Sequence, residues 1–242
     1  MLYRDRTQAG RRLAARPELR RLTDAVVLGL PRGGVPVAYE VAVRLAAPLD
    51  VVVVRKLGVP YQPELAMGAI GEGGVRVLDE HTLRHAGLDE TDVAAVERRE
   101  RAELDRRVRR LRALRPRVPL SGRTAVLVDD GVATGATARA ACRIARAQGA
   151  ARVIVAVPVG APEAVDRLRE VADEVVCPEQ PEFFMAIGEW YADFSATTET
   201  EVQRLLERAA RDRVTAPAQR RPDEPEAAPR AGREPPPTTR RG

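Results

Sequence analysis

The chain has 242 residues, 44% of them hydrophobic and 31% charged, enough for one substantial core with a small accessory lobe but too little for two full domains. No apolar run approaches the ~20 residues that a membrane-spanning helix needs, and Met1–Gly10 is charged rather than signal-like, so a cytoplasmic protein with no membrane partner is expected. The formal charge is +5, but +3 of it comes from Arg213–Gly242, where seven arginines face four acids, so the near-balanced body is not expected to bind nucleic acid.

In chain order, the apolar run Ala25–Leu30 leads into Pro31-Arg32-Gly33-Gly34 and then into Val35–Leu45 with helical spacing. This reads as strand, glycine loop and helix. Asp50–Arg55 is nearly pure valine, and an unbroken β-branched run suits a strand buried on both faces of a parallel sheet. Ala66–Ile70 and Val75–Asp79 flank Gly-Glu-Gly-Gly as a hairpin would. A long charged helix follows over Asp89–Arg115, and with the hairpin it forms a flap beside the sheet, about residues 60–118. Along that helix Glu97, Glu100, Glu103 and Asp105 interleave with Arg98, Arg99, Arg101, Arg106 and Arg107, so i,i+3 and i,i+4 pairing favours a solvated face over an RNA-binding one.

Strands are expected again at Thr124–Asp129, Arg152–Val157 and Glu174–Cys177. Helices fit between them at Thr137–Gln148, stopped by Gly149, and at Pro162–Val171. The alternation predicts an α/β fold, a doubly wound and mostly parallel sheet with right-handed crossovers. From Arg213 to Gly242 proline, alanine and charge dominate, and this tail is expected to be disordered. The domain thus covers about residues 1–212.

Cys142 and Cys177 lack a CxxC spacing and read as buried thiols. His81 and His85 share an i,i+4 spacing, but the glutamate of HExxH and a fourth ligand are missing, so surface histidines near a helix start are the preferred reading. Lys56 is the only lysine among 40 basic residues, which singles it out in a chain otherwise given to arginine.

The chemistry concentrates in Val126–Thr137. A buried strand delivers Asp129 and Asp130 at its end, and Gly131, Ala133, Thr134, Gly135, Ala136 and Thr137 then form a small-residue loop that opens a helix. Helix N-terminal N–H groups and two threonine hydroxyls suit a phosphate, and glycine and alanine let it come close. The carboxylates would repel that phosphate but suit sugar hydroxyls. A sugar phosphate satisfies both; an acidic strand end with an ordinary threonine cap is the plainer alternative.

The whole string resembles the signature of the type I phosphoribosyltransferases. The resemblance covers about Ala25–Cys177 and implies that Pro31-Arg32-Gly33-Gly34 is a diphosphate loop, often built on a cis peptide, with Arg55 and Lys56 facing the diphosphate as well. It further implies a phosphoribosyl diphosphate donor with Mg2+ held mainly by the ligand, Asp129 or Asp130 assisting. Asp129 and Asp130 would hold the ribose hydroxyls, Arg32 and Lys56 would stabilise departing diphosphate, and a nucleobase or related nitrogen nucleophile would be the acceptor. Ala133 stands where purine-salvage members carry an acid, which puts standard purine chemistry in doubt and keeps a non-catalytic sensor, binding RNA through its arginines, as the rival.

Five of the eight aromatic residues lie within Phe183–Phe194. In a small C-terminal hood, about residues 178–210, Trp190, Tyr191 and Phe184 either stack on an acceptor or anchor a lobe with little core of its own. The sequence leaves a homodimer open.

Overall fold

The computed structural model describes residues 2–113 and 116–215. Helices α1 (Arg6–Ala14) and α2 (Pro17–Arg20) precede β1 (Ala25–Gly29), α3 (Gly34–Leu45) and β2 (Leu49–Val51). Three strands follow, β3 (Val54–Val59), β4 (Gln62–Gly71) and β5 (Arg76–Leu78), then α4 (Glu80–Ala86) and α5 (Glu90–Arg112). The chain continues through β6 (Thr124–Val128), α6 (Ala136–Ala147), β7 (Arg152–Ala156), α7 (Pro162–Arg169) and β8 (Glu174–Val176), and after a 3-10 turn at Ile187–Trp190 it enters α8 (Glu199–Thr215).

β2, β1, β6, β7 and β8 form a parallel five-stranded sheet in that order. Their β-branched residues alternate between two cores, as the period of a strand requires. Val27, Val126, Val128 and Ile154 face α3, with Leu13 of α1 and Val202 and Leu206 of α8 in the same cluster. Val26, Leu28, Leu127 and Val155 face the opposite layer, built from Ile144 of α6 and Leu168 of α7. The strand order turns outward from β1 to β2 and then resumes at β6 on the other side. Open α/β sheets bind ligands at such a switch point, just past the strand ends.

The valine run does not form one strand. Main-sheet pairing ends at Val51, and from Val54 the chain joins a separate antiparallel sheet in the order β3-β4-β5. Arg55 and Lys56 therefore lie inside β3, opposite Ile70 and Ala69, rather than at the end of a parallel strand. A uniform run of valines carries no mark of where one sheet hands over to the next. The expected hairpin is present as β4 and β5. The charged helix is α5, whose Asp89 and Asp92 form a capping box, and the pairs Glu97–Arg101, Glu103–Arg106 and Glu103–Arg107 line its surface.

α1 was not anticipated. Asp5 caps it by accepting from Gln8 N–H, and its contact face is made of small residues, Ala9, Gly10 and Ala14, plus Leu13. At Gly10 a Cβ would sit 2.9 Å from Glu40 Cβ and Val37 O, so close approach to α3 rather than bulk holds this helix. Of the tail expected from Arg213, Arg213–Thr215 continue α8; residues 216–242 lie outside the described residues. Among the described residues no helix is long and apolar enough to cross a membrane.

A buried ionic network ties the second sheet to the first. Asp50 on β2 is fully buried; it accepts from Arg112 Nη1 at 2.8 Å and from Val118 N–H at 2.9 Å. Arg112, at the end of α5, also donates to both Glu72 oxygens at 2.7 Å. Removing one partner of a buried pair leaves an uncompensated charge. Arg112→Met is therefore expected to destabilise the protein by about 3–5 kcal/mol, read from urea denaturation, and Arg112→Lys to recover only part of that, since one ammonium cannot reach both carboxylates as the fork does.

Candidate functional site

β1 and β6 run in register, Gly29 beside Val128, so the residues after each strand emerge together. After β1 come Pro31, Arg32, Gly33 and Gly34, with a cis peptide between Pro31 and Arg32; after β6 come Asp129 and Asp130. The two segments touch. A Cβ on Gly33 would lie 2.1 Å from Asp130 Oδ2, and one on Gly34 would lie 2.5 Å from the Val128 carbonyl oxygen and 2.8 Å from Asp129 Cα. Only glycine fits at either position.

The adjacent acids have different surroundings. Asp130 is 7% exposed and accepts from Arg6 Nε at 2.8 Å. Arg6 also donates to the Ser195 carbonyl at 2.7 Å and stacks 3.9 Å over the Phe194 ring. The Asp130 carbonyl accepts from the Tyr191 hydroxyl at 2.5 Å. Among the described residues no cation lies in hydrogen-bond range of Asp129; its Oδ1 accepts from Asp130 N–H at 2.9 Å. Burial first, and the neighbouring Asp130 charge second, push the Asp129 carboxyl well above the ordinary carboxylate range. Arg6, the cation in this pair, escaped sequence reading because it lies 124 positions from its partner.

The following loop is anchored where Val132 N–H donates to the Val159 carbonyl at 3.0 Å. A Cβ on Gly131 would come within 2.8 Å of Ile187 Cγ2, so the 3-10 turn presses directly on the loop. Ala133, Thr134 and Thr137 are exposed. Gly135 caps α6 with φ of 75°, a left-handed conformation that favours glycine, and the Ala136 N–H donates to the Thr134 hydroxyl at 3.4 Å.

Two cavities open beside the glycine loop. One of about 440 Å³ is lined by Arg32, Thr137, Arg107, Arg110 and Glu199 among others. Another of about 430 Å³ holds Arg55, Lys56, Glu100 and Thr137. Pro31, Val54, Arg107 and Thr137 wall both. The structure thus gathers Arg32, Lys56 and Thr137 around one region. Arg55 lines the second cavity too, its Nε and Nη2 donating to Glu100 Oε2 at 2.8 and 2.5 Å.

The family model described as "Phosphoribosyl transferase domain" matches residues 3–194, a stretch that contains the strand-end acid pair, the cis-peptide glycine loop and the start of α6. The chain belongs to this family. It is 57% identical over 211 residues to "Putative phosphoribosyl transferase MT0597" and, equally, to "Putative phosphoribosyl transferase Rv0571c", both from Mycobacterium tuberculosis. These matches cover 87% of this chain and 48% of each relative, so the chain spans about half the length of the curated relatives it matches. The crystal structure of TT1426 from Thermus thermophilus is 48% identical, superposes with a TM-score of 0.80, and is matched over 85% of this chain and 98% of its own.

The aromatic residues divide. Tyr191 is 2% exposed, its ring packed between Tyr3 at 5.5 Å and Phe194 at 5.1 Å, so it offers no open face for stacking and serves the interior instead. Phe184 and Trp190 stack on each other at 6.4 Å. The stretch expected to form a hood is two pieces: the segment through Ile187–Trp190 that covers Gly131, and α8, whose Val202 and Leu206 join the α3 layer. His81 and His85 stack at 6.2 Å on α4; among the described residues no group of three His, Cys, Asp or Glu could hold a metal ion. Both cysteines are buried and free, their thiols pushed up to about 12 by burial.

A carboxyl whose folded-state pKa is raised binds its proton more tightly when folded, so its ionisation costs stability as pH rises from its ordinary value of 3.8. Asp129→Asn, which keeps an oxygen to accept from Asp130 N–H, is expected to raise the melting temperature by a few degrees at pH 8. The gain should vanish as the pH falls below about 4, where the native carboxyl is neutral in both states. A pH series of thermal melts checks this.

Proposed function

We propose that the protein transfers a phosphoribosyl group from phosphoribosyl diphosphate to a nitrogen nucleophile, releasing diphosphate. The observation that carries this reading is the meeting of the glycine loop with the acid pair, Gly33 against Asp130 Oδ2 with no room for a Cβ, while Arg32, Lys56 and Thr137 line the cavities beside it.

In this reading the loop from Gly131 to Thr137 receives the 5′-phosphate, through backbone N–H groups at the start of α6 and the hydroxyls of Thr134 and Thr137. Asp129 and Asp130 accept hydrogen bonds from the two ribose hydroxyls. The bond from the anomeric carbon to the diphosphate oxygen breaks, its electron pair leaves with diphosphate, and the acceptor nitrogen supplies the new bond. Positive charge developing on the sugar is stabilised by the carboxylates, and negative charge on diphosphate by Arg32 and Lys56.

The donor set fits Mg2+ in one way. Two hard carboxylates without a third protein ligand leave most of the coordination to substrate oxygens and water, the arrangement that ion favours. When bound, it neutralises the leaving diphosphate. The acceptor is proposed to be a nucleobase or related heterocycle placed near Phe184 and Trp190. Ala133, exposed in the loop, has no proton to exchange with it, which supports a rival reading as a sensor that binds the donor without turnover; diphosphate release across a panel of nucleobases separates the two.

Calorimetric titration with phosphoribosyl diphosphate and Mg2+ tests the donor site. Asp129→Asn combined with Asp130→Asn is expected to weaken binding by at least ~100-fold, since charge-assisted hydrogen bonds contribute about 1.5–3 kcal/mol each. Equal affinity would end the assignment.

Lys56→Ala is expected to weaken the intact donor about tenfold and to leave ribose 5-phosphate unchanged, because only the donor carries the group that Lys56 would contact. Equal losses for both ligands would assign Lys56 a structural role.

A further inference from the structure

Between α6 and β4 lies a cavity of about 350 Å³ whose charged side chains the proposed reaction does not use. One face of α6 forms its floor, with Arg139 and Arg143 one helical turn apart. Arg167 of α7 and Asp79 complete the charged lining, so three arginines against one carboxylate leave +2. Asp79 is already engaged, accepting from Arg143 at 2.9 Å and from Thr82 N–H at 3.1 Å. Arg167 donates to the Thr134 carbonyl at 3.4 Å. The Nε of Arg139 is shut off from water and has no hydrogen-bond partner among the described residues.

Several planar guanidinium forks lining one space match the oxygens of phosphate groups. The cavity lies near the lower end of the ~300–1,000 Å³ range of small-molecule sites, which suits a phosphate chain. No residue lines both this cavity and either of those holding Arg32 or Lys56. The first turn of α6 divides them, with Ala136 on this side and Thr137 on the other.

We propose that this cavity binds a small, multiply charged phosphate anion, an inorganic phosphate chain or the phosphate tail of a nucleotide, beside the proposed donor site and apart from the cavities that hold Arg32 and Lys56. Its wall includes Thr134 and Ala136, so an occupant would lie against the loop proposed for the 5′-phosphate.

Calorimetric titration of the full chain with inorganic triphosphate tests this. Wild type and Arg32→Ala/Lys56→Ala should both show the binding event, whereas Arg139→Gln/Arg143→Gln should weaken it at least roughly tenfold. Asp79→Asn removes the competing charge while keeping a side chain able to cap α4, and should tighten binding severalfold; this gain does not depend on a variant that loses a contact. Unchanged affinity in the Arg139/Arg143 variant, loss of the event in the Arg32/Lys56 variant, or no gain from Asp79→Asn would each overturn the proposal. Tighter binding of a nucleoside triphosphate would identify the nucleotide as the source, and equal binding the phosphate chain alone. Phosphoribosyl diphosphate affinity is measured on the same variants, so a failed donor reading and a failed anion site give different patterns.

Discussion

The geometry of the site follows from two strand ends brought so close together that the segment after β1 can carry no side chain where it meets the acids after β6. In-register pairing of Gly29 with Val128 fixes the separation of β1 and β6, and Leu30 N–H still donates to the Val128 carbonyl at 2.8 Å. The next residues after β1 must then pass over Asp129 and Asp130. Gly33 and Gly34 allow it, and α3 can begin at once, packed on β1 and β6. A methyl group at either position would have to displace backbone or a buried carboxylate. The glycine loop and the acid pair are therefore one object, assembled by the parallel register and held by the absence of two Cβ atoms.

That arrangement buries charge, and the chain answers from its far ends. Asp130 lies too deep to be solvated as an anion, and an unpaired carboxylate there would be costly. Arg6, at the start of α1, supplies the counter-charge, and its guanidinium is in turn clamped by the Ser195 carbonyl and the Phe194 ring. Tyr3 and Tyr191 form a parallel bridge between the two segments, and Tyr191 reaches down to the Asp130 carbonyl. The N-terminal helix and the 3-10 segment thus close over the same residue. The small contact face of α1, with Gly10 against α3, allows Arg6 to come this near.

Much of this was legible in the sequence where the signal was local. β-branched runs marked the five parallel strands because burial on both faces leaves no polar alternation, and Gly149 and Pro162 marked helix ends by their backbone requirements alone. The acids, the glycine loop and the helix start were readable together because each bears on its neighbours in the chain. What stayed hidden was pairing over distance. Arg6 is one arginine among many, and nothing near it in the chain announces Asp130. Four consecutive valines hid the passage from β2 to β3, since both sheets accept the same residue, and this moved Arg55 into the flap, where Glu100 takes it. Tyr191 looked like its aromatic neighbours until its burial distinguished it.

The two adjacent carboxylates end up unequal for a physical reason. Burial first, and the neighbouring Asp130 charge second, raise the pKa of the Asp129 carboxyl, whereas Arg6 lies against Asp130. Among the described residues no cation lies in hydrogen-bond range of Asp129. A cation brought to Asp129 favours its ionised form, so binding of that kind is linked to proton release and strengthens as pH rises towards the raised pKa. In the proposed function the carboxylates take the hydroxyls of the donor, which suit them as a bare anion does not, and the start of α6 with Arg32 and Lys56 takes its phosphates.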